Sequence, residues 1–551
     1  MQGTSAVYVK DFEQGDDAER IRAAIRHAIA IGADHVVFEP VRYVLKSAVT
    51  IQTEGFAHDA GSPQESVKAC HVAILGAGNL TLQGAVDAQG EPATTLVGYN
   101  DEEIHGYLPA ILWCEDCKDL TLLNLAFTRE PAYASAGVVL HRDEHHIVVG
   151  VFEGNPCRDG MGAYCMNRFD PATGSLTGES VTYGDGAGNL FRQSGERQLT
   201  LESPMVAAKV RIGEHLSWHQ GARTDFQTYF ARCGELRMDN IRTRNANGFA
   251  MLTESCRGIT ASRMVFRPDG NRLFTAPRDA WKLFKCTGTI DISEMIVEGV
   301  RMDGQNMHSN WLSAKQVLHA REAVFFCKYT FAPLVVGSQV ELHIGERVFL
   351  RRIADWSHMG KGAHGHDYRI VFEEDLPEGM REGILGAASC WEPDRYLCKD
   401  SSFVNIAGAG HLVRYDHAYF LNCTYKNTMN PGILLGAELP VHAEGGHATD
   451  IVIKDCLFDN CGFFPRYGAS GCVGIRSAGF HGKHNRDILI VNNVMRNSRV
   501  GVHIVDGDEV YLIGNAFEGV EIPVSVDAEV NGQVYGRNND IVQAGDDSVQ
   551  Y

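Results

Sequence analysis

The spacing of apolar positions changes once along this chain. Ile21, Ile25, Ala28 and Ile29 recur at i, i+4, i+7 and i+8. Asp16 or Asp17 stands ready to cap the start and Gly32 to stop it, which predicts one amphipathic helix. From His35 onward the period drops to two. His35–Phe38 ends at Pro40, Tyr43–Ile51 follows, and short alternating runs punctuated by Gly, Asn or Asp then continue to the C-terminus, the pattern of many short strands.

These runs resemble one another. LTLLNLAF from Leu120, ITASRMVF from Ile259, IDISEMIV from Ile290, IVIKDCLFDN from Ile451, ILIVNNVMRN from Ile488 and VYLIGNAFEG from Val510 share one template. Ile259 and Ile290 are 31 residues apart, and Ile488 and Val510 are 22. Cys233, Cys256 and Cys286 keep the same phase, each shortly before such a run. A sandwich or barrel gives short strands without that phase, whereas a parallel β-helix stacks equivalent strands coil upon coil. The fold class expected is all-β: a right-handed parallel β-helix whose open end is plugged by the N-terminal helix, since a bare end would expose unpaired strand edges.

Two intervals of similar length break the phase. Residues 136–219 carry alternating runs at Val138–Leu140, Ile147–Val151, Leu199–Leu201 and Lys209–Ile212; residues 317–395 carry them at Ala323–Cys327, Val340–Ile344 and Tyr368–Phe372. Loops of such length without structure are uncommon, so each is expected to be a small antiparallel β-barrel inserted into a coil. The organisation read from this is a cap helix with first coils (1–135), a barrel (136–219), central coils (220–316), a second barrel (317–395) and C-terminal coils (396–551).

Composition removes several function classes. With 44% apolar residues in 551, the core is large, and no apolar run reaches the length of a membrane span. A formal charge of -19 disfavours nucleic acid as a partner, because phosphate backbones are held by Lys and Arg. The 15 cysteines are scattered singly, unlike a disulfide scaffold, and the Cys114–Cys117 pair lacks a second pair at zinc-ribbon spacing, which makes a core role the expectation. HRDEHH at His141–His146 and HGHD at His364–Asp367 are read as solvated histidines of barrel turns. MQGTSAVYVKDF has no charged segment followed by an apolar one, which predicts a cytoplasmic protein or one whose signal has been removed. Oligomeric state is left open.

Chemistry gathers in RDAWKLFKCTGTIDISEMIVEGVRMDGQNMHSNW, Arg278–Trp311. Asp279 and Asp303 stand 24 residues apart, one coil, each just before a strand-like run. Carboxylates at equivalent points of neighbouring coils meet the needs of acid/base glycoside hydrolysis. Beyond the second insertion, GILLGAE (Gly432–Glu438) leads into a loop with His442 and Glu444, predicted to return to the same face. For any one of these acids a turn-capping role is as good a reading; the cluster favours function.

DAWKLFKCTGTIDI, then MDGQNMHS one coil later, then GILLGAE followed by HAEGG, together with the architecture, resemble glycoside hydrolase family 110, bacterial exo-acting α-1,3-galactosidases. The resemblance implies Asp279, Cys286, Asp303, Gly304, Asn306 and His308 as matching positions and Glu444 as the loop acid. Lys282 stands where the family usually has His, and Met302 where it has a further Asp. The function it implies is removal of a terminal α-linked galactose or related sugar with inversion, without metal or organic cofactor. Asp303 and Glu444 are the expected acid/base pair, with Asp279 holding substrate or tuning Asp303; Arg278, Lys282, Asn306, His308, Trp311, Glu438 and His442 are the expected sugar-binding residues. Two other classes compete. A polysaccharide lyase needs a basic residue and a neutralised uronate, and few basic residues stand in this stretch; a non-catalytic carbohydrate-binding solenoid would bind sugar and turn nothing over.

Overall fold

The computed structural model describes residues 5–52, 67–99, 108–182, 189–220, 225–345, 347–362, 364–480, 484–527, 532–543 and 546–550. The coils form a parallel β-helix. One coil runs Trp281–Phe284, Thr287–Ser293 and Ile296–Val300 before Gln305–Asn310 opens the next. A 24-stranded sheet takes the second and third strand of each coil, and a 13-stranded sheet takes the first.

The repeated runs share one register. Leu80 pairs with Leu120, Leu236 with Ile259, Ile259 with Ile290, Ile290 with Tyr396, Ile451 with Ile488 and Ile488 with Val510. All these side chains face a single core. Burying one such aliphatic side chain contributes about 1.5–3 kcal/mol, and a one-residue slip would turn the whole row outward. Farther along the helix Phe403, Tyr425 and Phe458 stack face to face at 5.2 and 4.9 Å.

Corners recur as well. At the first corner the residue before each cysteine adopts positive φ (Asp116, Arg232, Ser255, Lys285). The thiols of Cys117, Cys233, Cys256 and Cys286 then face the carbonyl two residues back, at 3.4–3.6 Å. Cys114 and Cys117 are both buried in this core, and all 15 cysteines are free thiols. At the second corner Asn side chains ladder between coils, as Asn240 does to Asn124 at 2.8 Å.

The helix spans Asp17–Ile31. Asp16 accepts from Glu19 N–H in a capping box, and Gly32 ends it at φ 69°. Ala18, Ile21, Ala24, Ile25 and Ala28 seal the first coils. Ile29, expected on this stripe, is instead 44% exposed: the buried arc centres on Ile21 and Ile25, and Ile29 lies beyond its edge.

Both insertions are antiparallel. The second, Leu312–Ala388, closes into a six-stranded barrel with its own core; the strand Pro393–Lys399 already belongs to the next coil, paired with Thr287–Ser293. The first, Ala134–His219, is a seven-stranded sheet around its own core, and no closure of that sheet into a barrel is found among the described residues. Lys209–Ile212, expected as a strand there, holds the end of a short helix, Pro204–Lys209, which Ser203 caps and Pro204 starts.

Candidate active site

Asp279 and Asp303 each sit two residues before a strand of the smaller sheet, Trp281–Phe284 and Gln305–Asn310, which pair in parallel. Lys282 is therefore the neighbour of Asn306. The barrel then interrupts the chain, and the next strand of this sheet, His411–Arg414, sets Arg414 beside His308. The loop after Leu435 folds back so that Glu444–Gly445 pairs antiparallel with Ser309–Asn310. The described barrel residues hold that loop: Tyr329 Oη lies 2.8 Å from His442 Nδ1, and Lys328 donates to the Val441 carbonyl.

These elements enclose a cavity of about 410 Å³. Asp279, Asp303, Glu444, Arg278, Lys282, Asn306, Glu438 and His442 all line it. His308 does not: it is fully buried behind Glu444, its Nε2 3.3 Å from Oε1. Nor does Trp311, whose indole lies in the wall between the loop and the barrel and donates to the Glu444 carbonyl at 3.1 Å. Trp311 lies between the end of its strand and the first barrel strand, and packs against Ala387 of the barrel and Ala437 of the loop instead of facing the cavity. Glu438 accepts from the N–H groups of Val441 and His442, both at 2.9 Å, and so shapes the loop's turn.

The three buried acids differ in their surroundings. Asp303 Oδ1 accepts from Ala409 N–H at 2.8 Å; Asp279 Oδ1 accepts from Asp303 N–H and its Oδ2 from the Asn306 amide, both at 3.3 Å. Burial, with the Asp279 charge added, pushes the Asp303 carboxyl up to about 8. Burial raises Asp279 too, against Lys282 and Arg278. Two adjacent carboxyls of this kind titrate as a pair and hold a proton between them at neutral pH.

Glu444 is the opposite case. Burial opposes its charge, but Arg414 Nη1 at 2.9 Å and Lys282 Nζ at 3.5 Å lower its pKa, to which His308 would add only as a cation. His308 itself is kept neutral by burial and by Lys282 and Arg414, so Arg414 and Lys282 are the cations that matter. The cavity thus sets a carboxyl whose pKa is raised beside one whose pKa is lowered.

Several lining residues escaped the sequence reading. Arg414, Arg466 and Arg476 arrive from later coils, so that Arg278 and Lys282 become part of a set of five basic side chains rather than the few expected. Arg414 was visible only as a charge inside the apolar run His411–Arg414, which is buried throughout. Phe249 and Tyr467 supply ring surface, with the Arg278 guanidinium 4.9 Å from the Phe249 ring. Gly408 makes room for the acid: a Cβ there would lie 2.4 Å from Asp303 Oδ1 and 2.5 Å from the Met302 carbonyl. Arg301, fully buried, reaches the Cys165 and Thr182 carbonyls of the first insertion and so steadies the turn before Asp303.

No protein-family model matches the chain. Over 508 residues, 84% of this chain and 78% of the relative, it is 22% identical to alpha-1,3-galactosidase A of Bacteroides fragilis. It is 27% identical over 244 residues to alpha-1,3-galactosidase B of Phocaeicola vulgatus (41% of this chain, 40% of the relative). It is 20% identical over 273 residues to alpha-1,3-galactosidase A of Shewanella woodyi (48% and 44%). The chain thus spans less than half the length of those last two relatives. Among solved structures, an exopolygalacturonase from Thermotoga maritima superposes with a TM-score of 0.47 at 9% identity, covering 100% of this chain and 95% of that one. The resemblance to α-1,3-galactosidases seen in the motifs therefore extends to alignments with curated proteins of that name.

Proposed function

We propose that this protein is an exo-acting glycoside hydrolase that removes a terminal α-linked galactose, or a closely related sugar, from a glycan with inversion at the anomeric carbon. The observation that carries the reading is the unlike surroundings of the carboxyls in one cavity: Asp303 buried beside Asp279, which raises its pKa, and Glu444 paired with Arg414 and Lys282, which lower its own. Glycosidic cleavage asks for that division, an acid that protonates the departing oxygen and a carboxylate that stays charged. Asp303 is the general acid. Glu444 is its ionised partner and draws the proton from the attacking water. Asp279 tunes Asp303 and, with Asn306, orients it.

The 438–444 loop forms one wall of the cavity, an arrangement that suits a chain end rather than the middle of a polymer. Phe249 and Tyr467 offer apolar faces for a sugar ring; Arg278 and His442 donate to hydroxyls. The alignments with proteins named alpha-1,3-galactosidase support galactose and this linkage. The test is hydrolysis of aryl α- and β-glycosides and α-1,3-linked galactosides by wild type and Asp303→Asn, with the product anomer followed by NMR. Release of β-galactose, abolished in Asp303→Asn, is the expected result. Release of the α-anomer would overturn inversion, and no turnover of any galactoside would overturn the substrate.

The five basic side chains favour a second reading, a lyase on a uronate. In it Arg466 and Arg476 neutralise the carboxylate while a neutral basic group removes the α-proton and the β-oxygen departs. It predicts an unsaturated product with ultraviolet absorbance and no anomeric inversion.

A further inference from the structure

On the far side of Trp311 from the cavity, three histidines converge. His343 comes from the barrel strand Gln339–Ile344. His447 and His484 come from consecutive coils, each two residues before Thr449 and Arg486, which are partners in register. Their rings accordingly stack at 4.6 Å with 14° between planes, and His343 closes on them at 4.9 and 5.3 Å. One ring nitrogen from each lies within 4.8 Å of the others, and none of the three residues is more than 8% exposed. Among the described residues, both nitrogens of His343 and both of His447 lack a hydrogen-bond partner. Buried imidazole nitrogens are costly to leave unpaired, and a ladder position shared by two histidines gains nothing from stacking that an apolar pair would not supply.

A ligand answers that cost. Glu341 lies two residues from His343 on the same strand face, its Oε2 3.7 Å from His343 Nε2. Glu341, Glu392 and Asp416 line the adjoining cavity of about 110 Å³, with Arg486 as the opposing charge. Imidazole nitrogens with a carboxylate close by are the donor set of a tetrahedral zinc site.

We propose that His343, His447 and His484, completed by Glu341, bind a Zn²⁺ ion that clamps the inserted barrel to the coils. The ion bears on the loop described above, because His447 is three residues beyond Glu444 and Trp311 packs on both His343 and His447, at 5.1 and 5.0 Å, while its indole N–H holds the Glu444 carbonyl. The site is distinct from the catalytic cavity, and its test does not depend on the reaction assigned there. A second group, His141, Asp143 and His146, also converges, but at an exposed hairpin turn where Asp143 already pairs with His146 at 2.8 Å; it serves as the control.

Chelator-treated full-length chain is titrated with Zn²⁺ by calorimetry and with Co²⁺ by visible absorption. The expected result is a single equivalent bound with submicromolar affinity, the intense Co²⁺ spectrum of tetrahedral coordination, and a rise in Tm of about 2 °C at zinc a hundredfold above Kd. His343→Gln and His484→Gln should each abolish the Co²⁺ spectrum, and His141→Gln should leave it unchanged. Absence of saturable binding, an octahedral spectrum, or binding lost in His141→Gln and retained in His343→Gln overturns the proposal. The wild-type titration and spectrum decide the matter even where a variant fails to fold.

Discussion

Replacing Asp279 with asparagine tests the assignment of the acid most directly. Asp303 rises from 3.8 to about 8, first through burial and then through the Asp279 charge beside it. Two unit charges on neighbouring buried carboxyls at an effective dielectric constant of about 20 repel by roughly 3 kcal/mol, on the order of two pKa units. A general acid works protonated, so activity is present below the pair's pKa and lost as pH rises through it. Removing the Asp279 charge lowers that pKa, and the alkaline limb of kcat/KM should fall from about pH 8 to about pH 6. The introduced amide keeps a carbonyl oxygen for Asp303 N–H, and Asn306 can turn its own amide to meet the new NH₂, so the geometry survives. The assay is kcat/KM against pH on an aryl α-galactoside, with circular dichroism as the check on folding. A folded Asp279→Asn enzyme whose alkaline limb stays where the wild type has it would refute the coupling and leave burial alone to account for Asp303.

Glu444→Gln leaves Arg414 and Lys282 buried without a counter-charge and should destabilise the chain by about 3–5 kcal/mol, read as the loss in denaturant unfolding. Because the Glu444 pKa is depressed, the wild-type contribution is fully present above the ordinary glutamate pKa and is lost progressively as pH falls from there through the native value, so the difference from Glu444→Gln should begin to shrink once pH drops below the ordinary glutamate pKa. Gly408→Ala forces a methyl group against Asp303 Oδ1 and should cut kcat/KM by about a hundredfold or more, whereas Gly234→Ala, which meets nothing within 4 Å, should match wild type. Tyr329→Phe removes the hydroxyl partner of His442 and should raise KM severalfold with a smaller effect on kcat; an unchanged KM would detach the barrel from substrate binding.

Much of the fold was legible in the amino-acid sequence because a solenoid repeats its physics locally. The Ile and Leu rows, the cysteines at one corner and the phase of 22 to 31 residues each report a coil that buries its own inward face. Asp279 and Asp303 could be paired for the same reason: one coil separates them, and a coil's return is set by its length. The cap helix was legible from Asp16 and Gly32, though its edge at Ile29 was not, since the width of the buried arc depends on the coils beneath it.

Tertiary structure alone decided what the chain brings back from a distance. Arg414 meets Glu444 only because the barrel occupies Leu312–Ala388 and returns the chain one coil on, so no spacing rule links them. The raised pKa of Asp303 and the lowered pKa of Glu444 follow from burial and from cations drawn from several coils, whereas the sequence named the two as a pair without saying which is acid and which base. His343 likewise looks like an ordinary strand residue until the barrel docks against the coils. Local periodicity fixes what stacks, because neighbouring coils share a register; long-range packing fixes which charges face each other, because electrostatic strength depends on the low-dielectric environment that only the assembled fold creates.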